Sequence, residues 1–412
     1  MTATATISVD EYRERARAWL ADNVERRSGD PRVAVSSLRG MHEFTKEQLD
    51  AERPKQKRLY EAGFAGITWP AEFGGQGLSP AHERAFLEEA AGYQLPNLGI
   101  AGGTTFGVCA QVMLAHASDD FNRRHLPRML AGDELWCQFF SEPVAGSDLA
   151  GVQTRATRDG ETWVLNGAKV WSSWAHLADY GLCLARTNWS VPKHRGLTWF
   201  GVPVDAPGVT LRVIRQINGG ADFCEEFFDD VVLPGEAVVG TVNDGWTVAA
   251  RLLSHERDSV GGGSPYIGNV LGHQAAVPPG PRLAADAIAA GHHHDARARQ
   301  LVGEAHILGT VATALVARIA ARGARGPAGA VLKLYRGTSA MRIATIGLEL
   351  AGPAAVAGAT TPGTEYLMRQ SGSLAGGSNE MQRNLIAERL LGMPREHAPD
   401  RGVPFSQVRR SG

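Results

Sequence analysis

Four short stretches of this 412-residue chain carry side chains suited to chemistry. In Val248–Val260, positions 248, 252, 256 and 260 form one i,i+4 stripe of a helix; three are apolar and the fourth is Glu256. A carboxylate on an apolar stripe is costly unless it is paired or put to use. Burial raises its pKa, which is how a proton-abstracting base is tuned. An ion pair with a neighbouring arginine is the structural alternative. In Asn166-Gly-Ala-Lys-Val-Trp-Ser-Ser173, Trp171 and Ser173 lie two apart and share one face of a strand. A flat aromatic wall beside a hydroxyl suits a planar heteroaromatic ring, and a core tryptophan would look the same.

The other two stretches are glycine-rich. Phe139-Phe-Ser-Glu-Pro-Val-Ala-Gly-Ser-Asp148 places the Ser141 hydroxyl after two aromatics, and its Gly146-Ser147 pair lets backbone approach a ligand. An ordinary Pro/Gly turn would need no more. Ala375–Gly392 runs two glycines into a helix, with Asn379 and Gln382 fitting a capping box and Gly392 then Pro394 ending the helix. Such an approach to a helix N-terminus holds a phosphate or another anion, or serves only as a cap.

Three blocks of elements must position these residues. The first third is helical: Ser8 and Glu11 frame a capping box that opens a run to about Arg26. Helical stretches follow near 43–62, 81–93, 98–116 and 119–132, with Trp69–Gly77 as a loop. From 134 the period becomes two. Asp159-Gly160 and Asn166-Gly167 read as hairpin turns between 154–157, 162–165 and 169–172. Strand-like runs follow at Gly181–Ala185, Leu197–Pro203, Val209–Ile217 and Glu226–Val232. After Gly245 the helical repeat returns, broken at Val277–Pro281 by a linker or turn. The expected domains are 1–133, 134–243 and 244–412, an α+β chain with segregated elements.

Composition excludes several classes. With 42 Lys+Arg against 43 Asp+Glu, nothing draws the chain to nucleic acid or to an anionic membrane. No stretch reads as the roughly 20 apolar residues of a membrane span, and the N-terminus lacks an apolar signal region. The expected location is the cytoplasm. Cys109, Cys137, Cys183 and Cys224 have no metal-binding spacing and read as reduced, buried thiols. His292-His-His294 reads as a solvated helix start or loop.

In this order the segments resemble the acyl-CoA dehydrogenase family over nearly the whole chain. The likeness is carried by Gly66–Leu78, Trp136–Asp148, Leu165–Ser173, Leu253–Arg257, Gly376–Arg383 and Asn384–Pro394. It implies a helical N-terminal domain, a middle β-barrel or sandwich and a C-terminal four-helix bundle, with FAD bound between domains and between subunits. Phe140 and Ser141 would then line the isoalloxazine, Ser147 would lie by the phosphates and the acyl-CoA, and Trp171 would pack on the flavin with Ser173 near N5. Ser378 and Glu380 would approach FAD from the last helix, while Ser254 and Arg257 would lie near substrate. The implied partners are an acyl-CoA or acyl-carrier-protein thioester and an electron-transfer flavoprotein or similar acceptor. The implied assembly is a homodimer or homotetramer, with a hetero-oligomer as the alternative.

Two departures from the family pattern matter. Many members carry the catalytic Glu where this chain has Gly376; others carry it on the helix matched by Leu253–Arg257, where this chain has Glu256. Gly376 keeps its backbone N–H, which in the family polarises the thioester carbonyl. An Arg-rich stretch that contacts FAD in relatives is matched here by Ala275–Gly291, whose only arginine is Arg282; Arg297 and Arg299 come shortly after. The expected reaction is α,β-dehydrogenation with Glu256 as the α-proton base and flavin N5 as hydride acceptor. The alternatives are a flavin monooxygenase or oxidase on the same fold, or a catalytically impaired partner subunit.

Overall fold

A computed structural model describes residues 7–27, 45–260, 279–292, 294–321, 328–357 and 360–408, with the side chains of 253–260 and of residue 320 outside the description. The N-terminal block is helical. Helix α1 (Val9–Asn23) starts at the expected capping box: the Glu11 backbone N–H donates to Ser8 Oγ, and Ser8 N–H donates to the Glu11 carboxylate at 2.9 Å. Its Tyr12, Ala16 and Leu20 are fully buried and meet Phe64 and Phe86. Helices α2 (Lys46–Glu61), α3 (Pro80–Ala90) and α6 (Asp119–Ala131) surround α4 (Gly99–Thr104) and α5 (Ala110–His116), which a π-helical turn at Thr105–Cys109 joins into one rod. Thr105 Oγ1 donates to the Ala101 carbonyl and accepts Trp136 N–H, both at 2.7 Å. The rod is thereby tied to the first strand.

The strands are β1 (Trp136–Phe139), β2 (Arg155–Asp159), β3 (Thr162–Ser173), β4 (Tyr180–Arg186), β5 (Leu197–Pro203), β6 (Val209–Ile214), β7 (Phe223–Pro234) and β8 (Val238–Val239). They form one mixed sheet in the order β6-β7-β3-β2-β4-β5-β8, with β1 parallel to β4. Strand β4 is buried on both faces, so it reads as a continuous apolar run rather than an alternation. Its Leu182 and Leu184 join the core shared with the helices, while Cys183 and Ala185 pack with Phe139, Leu165, Phe200 and Phe228 on the other side. All four cysteines are buried and free.

One turn expectation fails. Asp159-Gly160 does close the β2–β3 hairpin, but Asn166-Gly167 lies inside β3, at a bulge against β7. The glycine is needed there for close approach: a Cβ at Gly167, where φ is +147°, would lie 2.7 Å from Thr154 Cα. Asn166 instead exchanges hydrogen bonds with Asp230.

The C-terminal block contains α7 (Gly245–Val260), α8 (Pro279–Ala289), α9 (Ala296–Ala321), α10 (Ala328–Ala351) and, after short helical turns, α11 (Asn379–Leu385). Leu283, Ala287, Leu301, Ala305, Ile346 and Leu350 join α8, α9 and α10 in one core. Pro279–Pro281 starts α8 rather than forming a linker, since prolines are tolerated in a first helical turn; residues 275–278 and His293 lie outside the description. Contrary to the sequence reading, Ala296–Ile319 is long and apolar enough, by length and composition, to cross a membrane. Its charges sit toward its two ends, at Arg297, Arg299, Glu304 and Arg318, and Glu304 is used in an ion pair with Arg342 at 2.6 Å. The segment around Phe405 packs on the sheet domain: Phe405 N–H donates to the Val191 carbonyl at 2.9 Å, and Arg186 lies 3.6 Å from the Phe405 ring centre.

Candidate active site

Strand β1 delivers Phe140 and Ser141 to one wall of the site. Phe140 is half-buried and edge-on to Trp199, with ring centres 4.7 Å apart. Glu142 and Ala145 exchange backbone hydrogen bonds at 2.9 and 3.0 Å, and this turn lifts Val144 into solvent. Below the loop lies an ion pair that neither periodicity nor motif indicated. Lys169 Nζ, from β3, donates to Glu142 Oε1 at 2.9 Å and to the Phe140 carbonyl at 3.0 Å. Both side chains are almost wholly buried. Burial pushes the Glu142 carboxyl upward, but Lys169 and the N–H groups of Gln153 and Thr154 outweigh it and hold the group below its ordinary value.

The end of β3 forms the second wall. Val170 N–H donates to the Ser141 carbonyl at 2.9 Å, so the two stretches converge. Trp171 adopts a left-handed φ of +66° at a second bulge and is 58% exposed, whereas Ser172 points inward. Ser173 is half-buried, and its hydroxyl and that of Ser141 make no hydrogen bond among the described residues. Trp174, also left-handed at φ +52°, turns inward; its Nε1 donates to Asp222 Oδ1 at 3.2 Å. It packs so tightly on α4 that a Cβ at Gly99 would lie 2.1 Å from its ring. That contact fastens the sheet domain to the N-terminal helices beside the Trp171 face.

Helix α7 buries Val248, Ala249 and Leu252 against the core shared by helices and sheet, which confirms the stripe as far as Leu252. The side chains of Ser254, Glu256 and Arg257 lie outside the described residues. Ser147 is exposed and the space above Gly146 is open. Gly376 and Gly377 both take left-handed backbone angles. The cap of α11 is Ser378, not Asn379: its Oγ accepts Met381 N–H at 3.3 Å, one residue earlier than the expected capping box. Glu380 pairs with Arg383 at 3.3 Å. Among the described residues, neither Ser378 nor Glu380 makes a hydrogen bond to the sheet domain. Arg282 is engaged by Glu365 at 3.2 Å and Asp286 at 3.4 Å, and Arg297 by Glu349 at 3.1 Å.

The residues around Trp171 fit a flavin. An exposed indole, with the Ser173 hydroxyl two residues on and Ser141 joined to Val170, would offer a stacking wall and donors that make no hydrogen bond among the described residues. The buried Gln138 Nε2, two residues before Phe140, has no partner among the described residues.

Comparison with known proteins identifies the family. The chain matches the acyl-CoA dehydrogenase N-terminal domain over residues 10–133, the middle domain over 137–231 and the C-terminal domain over 243–391. It is 37% identical over 404 residues to acyl-CoA dehydrogenase IpdE1 of Mycobacterium tuberculosis, covering 94% of this chain and 98% of that one. IpdE1 of Mycolicibacterium smegmatis is 34% identical, covering 95% and 99%. Among solved structures, the Tcur3481-Tcur3483 steroid ACAD superposes with a TM-score of 0.70 at 25% identity, covering 96% of this chain and 100% of that one. The ChsE4-ChsE5 complex from M. tuberculosis gives 0.67 at 26%, covering 96% and 100%. Family members are FAD flavoproteins. The chain therefore belongs to the acyl-CoA dehydrogenase family and is an oxidoreductase acting on acyl-CoA.

Proposed function

We propose that this chain binds FAD in the crevice beside Trp171 and desaturates an acyl-CoA thioester between Cα and Cβ, with Glu256 as the α-proton base. The observation that carries the reading is the Trp171 face itself: a large exposed indole, held in a strained conformation beside two uncommitted hydroxyls. Phe140, Ser141, Trp171 and Ser173 would hold the isoalloxazine; Ser147, Ser378 and Glu380 would lie toward the rest of the cofactor. FAD supplies the two-electron acceptor for the β-hydrogen.

The protein's own groups do the rest. The α-proton is weakly acidic, so base and carbonyl donor must act on an aligned substrate. Glu256 takes that proton, and the apolar stripe of Val248 and Leu252 leads to its position on α7. The Gly376 backbone N–H donates to the thioester carbonyl as negative charge develops there. Ser147, Ser254 and Arg257 would serve the thioester end. The steroid ACAD among the similar structures supports a bulky acyl group. An electron-transfer flavoprotein is the proposed acceptor, and a homodimer or homotetramer the proposed assembly.

A second reading, a partner subunit with an incomplete FAD site, is favoured by one observation: Arg282 is committed to Glu365 and Asp286. The purified protein's visible spectrum, followed by a dye-coupled assay against short, branched, aromatic and steroid side-chain acyl-CoAs, tests both. A yellow protein active on a bulky acyl-CoA supports the first reading. A colourless protein supports the second, and a yellow protein inert toward every acyl-CoA overturns the first.

A further inference from the structure

Strand β7 carries a buried acid that the reaction does not use. Glu226 is fully buried, faces the inside of the sheet and sits opposite Lys169 in the β3–β7 pairing. Yet Lys169 directs its ammonium to Glu142 and the Phe140 carbonyl instead. The partner left to Glu226 is Ser172, whose hydroxyl donates to Oε2 at 2.8 Å; Oε1 is buried with no partner among the described residues. An aliphatic side chain at this inward position would pack without that desolvation cost, so the carboxyl is a poor choice for stability alone.

Its position explains the choice. In the register, Val170 pairs with Glu225 and Ser172 with Cys224, leaving Trp171 as the extra residue of the bulge. A left-handed φ is strained for a bulky side chain and persists only where its surroundings over-determine it. Val170 is fixed from one side by the Ser141 carbonyl, and Trp174 from the other by Asp222. Ser172, between them, is fixed by Glu226.

We propose that Glu226 is a positioning residue: by holding Ser172 it sets the tilt of the Trp171 indole and the placement of the Ser173 hydroxyl, the surface on which FAD lies. The inference rests on the flavin reading above. Burial, which pushes the carboxyl up to about 8, supports it, because a neutral acid can stay buried without a counter-charge and still accept the Ser172 hydroxyl.

The test uses the purified holoenzyme as wild type, Glu226→Gln, Glu226→Leu and Ser172→Ala. Two signals are read: the fluorine NMR line of fluorotryptophan-labelled Trp171, assigned with Trp171→Phe, and FAD release on dilution, followed by flavin fluorescence. The Leu and Ala variants should shift or broaden the Trp171 line and release FAD at least tenfold faster. The Gln variant, which keeps an acceptor for Ser172, should stay within threefold of wild type. If the Leu variant fails to fold, the Ala variant carries the same comparison. An unchanged Trp171 line and unchanged release in Leu and Ala would overturn the proposal, as would equal losses in Gln and Leu. A moved Trp171 line in a chain that takes up no FAD leaves the Glu226 clamp standing and overturns the flavin reading instead.

Discussion

Replacing Lys169 by Met removes a charge but keeps the length of a side chain that has no solvent exposure. The Glu142 carboxylate is then left with the Gln153 and Thr154 N–H groups, at 2.6 and 2.8 Å. Removing one partner of a buried pair costs about 3–5 kcal/mol. The two surviving N–H bonds place this loss near the lower end of that range, while the Phe140 carbonyl, robbed of its donor, adds about 1 kcal/mol. The expected cost is therefore about 4 kcal/mol. Glu142→Gln should cost about as much, because it strands the ammonium and turns an amide N–H toward a backbone N–H. The double variant removes both charges together and should lose at least about 2 kcal/mol less than the two single losses combined. Equilibrium urea unfolding of all four proteins measures this, with bound flavin recorded in parallel because the pair lies under Phe140 and Ser141. A single-variant loss below about 1 kcal/mol, or additivity within about 0.5 kcal/mol, would refute the reasoning.

Other expectations follow from the same contacts. Glu226 holds its proton more tightly when folded, at about 8 against an ordinary 4.5, so stability present at low pH is lost as pH rises through that window, by at most about 5 kcal/mol. The groups around it are Lys169, Glu225, Cys137, Cys183 and Cys224. Glu226→Gln should flatten the stability difference between pH 5 and 8.5, and an equal slope in both proteins would contradict the assignment. Gly99→Ala adds a Cβ at φ +58° that would overlap the Trp174 ring at 2.1 Å. It should cost about 2–4 kcal/mol in denaturant unfolding, and a neutral result would show that the domain joint yields.

Much of this architecture is legible in the sequence because it is written locally. The Ser8–Glu11 capping box and the strand at Leu197–Pro203 are set by neighbouring residues, and the structure reproduces them. Errors arise where one signal serves two geometries. Asn-Gly makes a hairpin turn or a bulge, and only the approach of Thr154 to Gly167 decides. Ser378 and Asn379 are both good caps, and the choice falls one residue early. In α9 the apolar residues between Glu304 and Arg318 are interleaved with His306, Gly309, Thr310 and Thr313 rather than with charges, so a search for an unbroken apolar run passes over it. The site residues that were missed owe their roles to partners far away in sequence. Lys169 meets Glu142 across 27 residues and Ser172 meets Glu226 across 54. The strand run was read as starting at Glu226, which made that residue a polar strand end, whereas β7 begins at Phe223 and buries it.

The most direct test of the account is anaerobic mixing of the yellow protein with a bulky acyl-CoA, in wild type and Glu256→Gln, followed by flavin absorbance. The wild-type flavin should bleach, and in the variant an oxidised spectrum should persist although acyl-CoA binding still perturbs it. Bleaching of the variant at the wild-type rate would contradict the account.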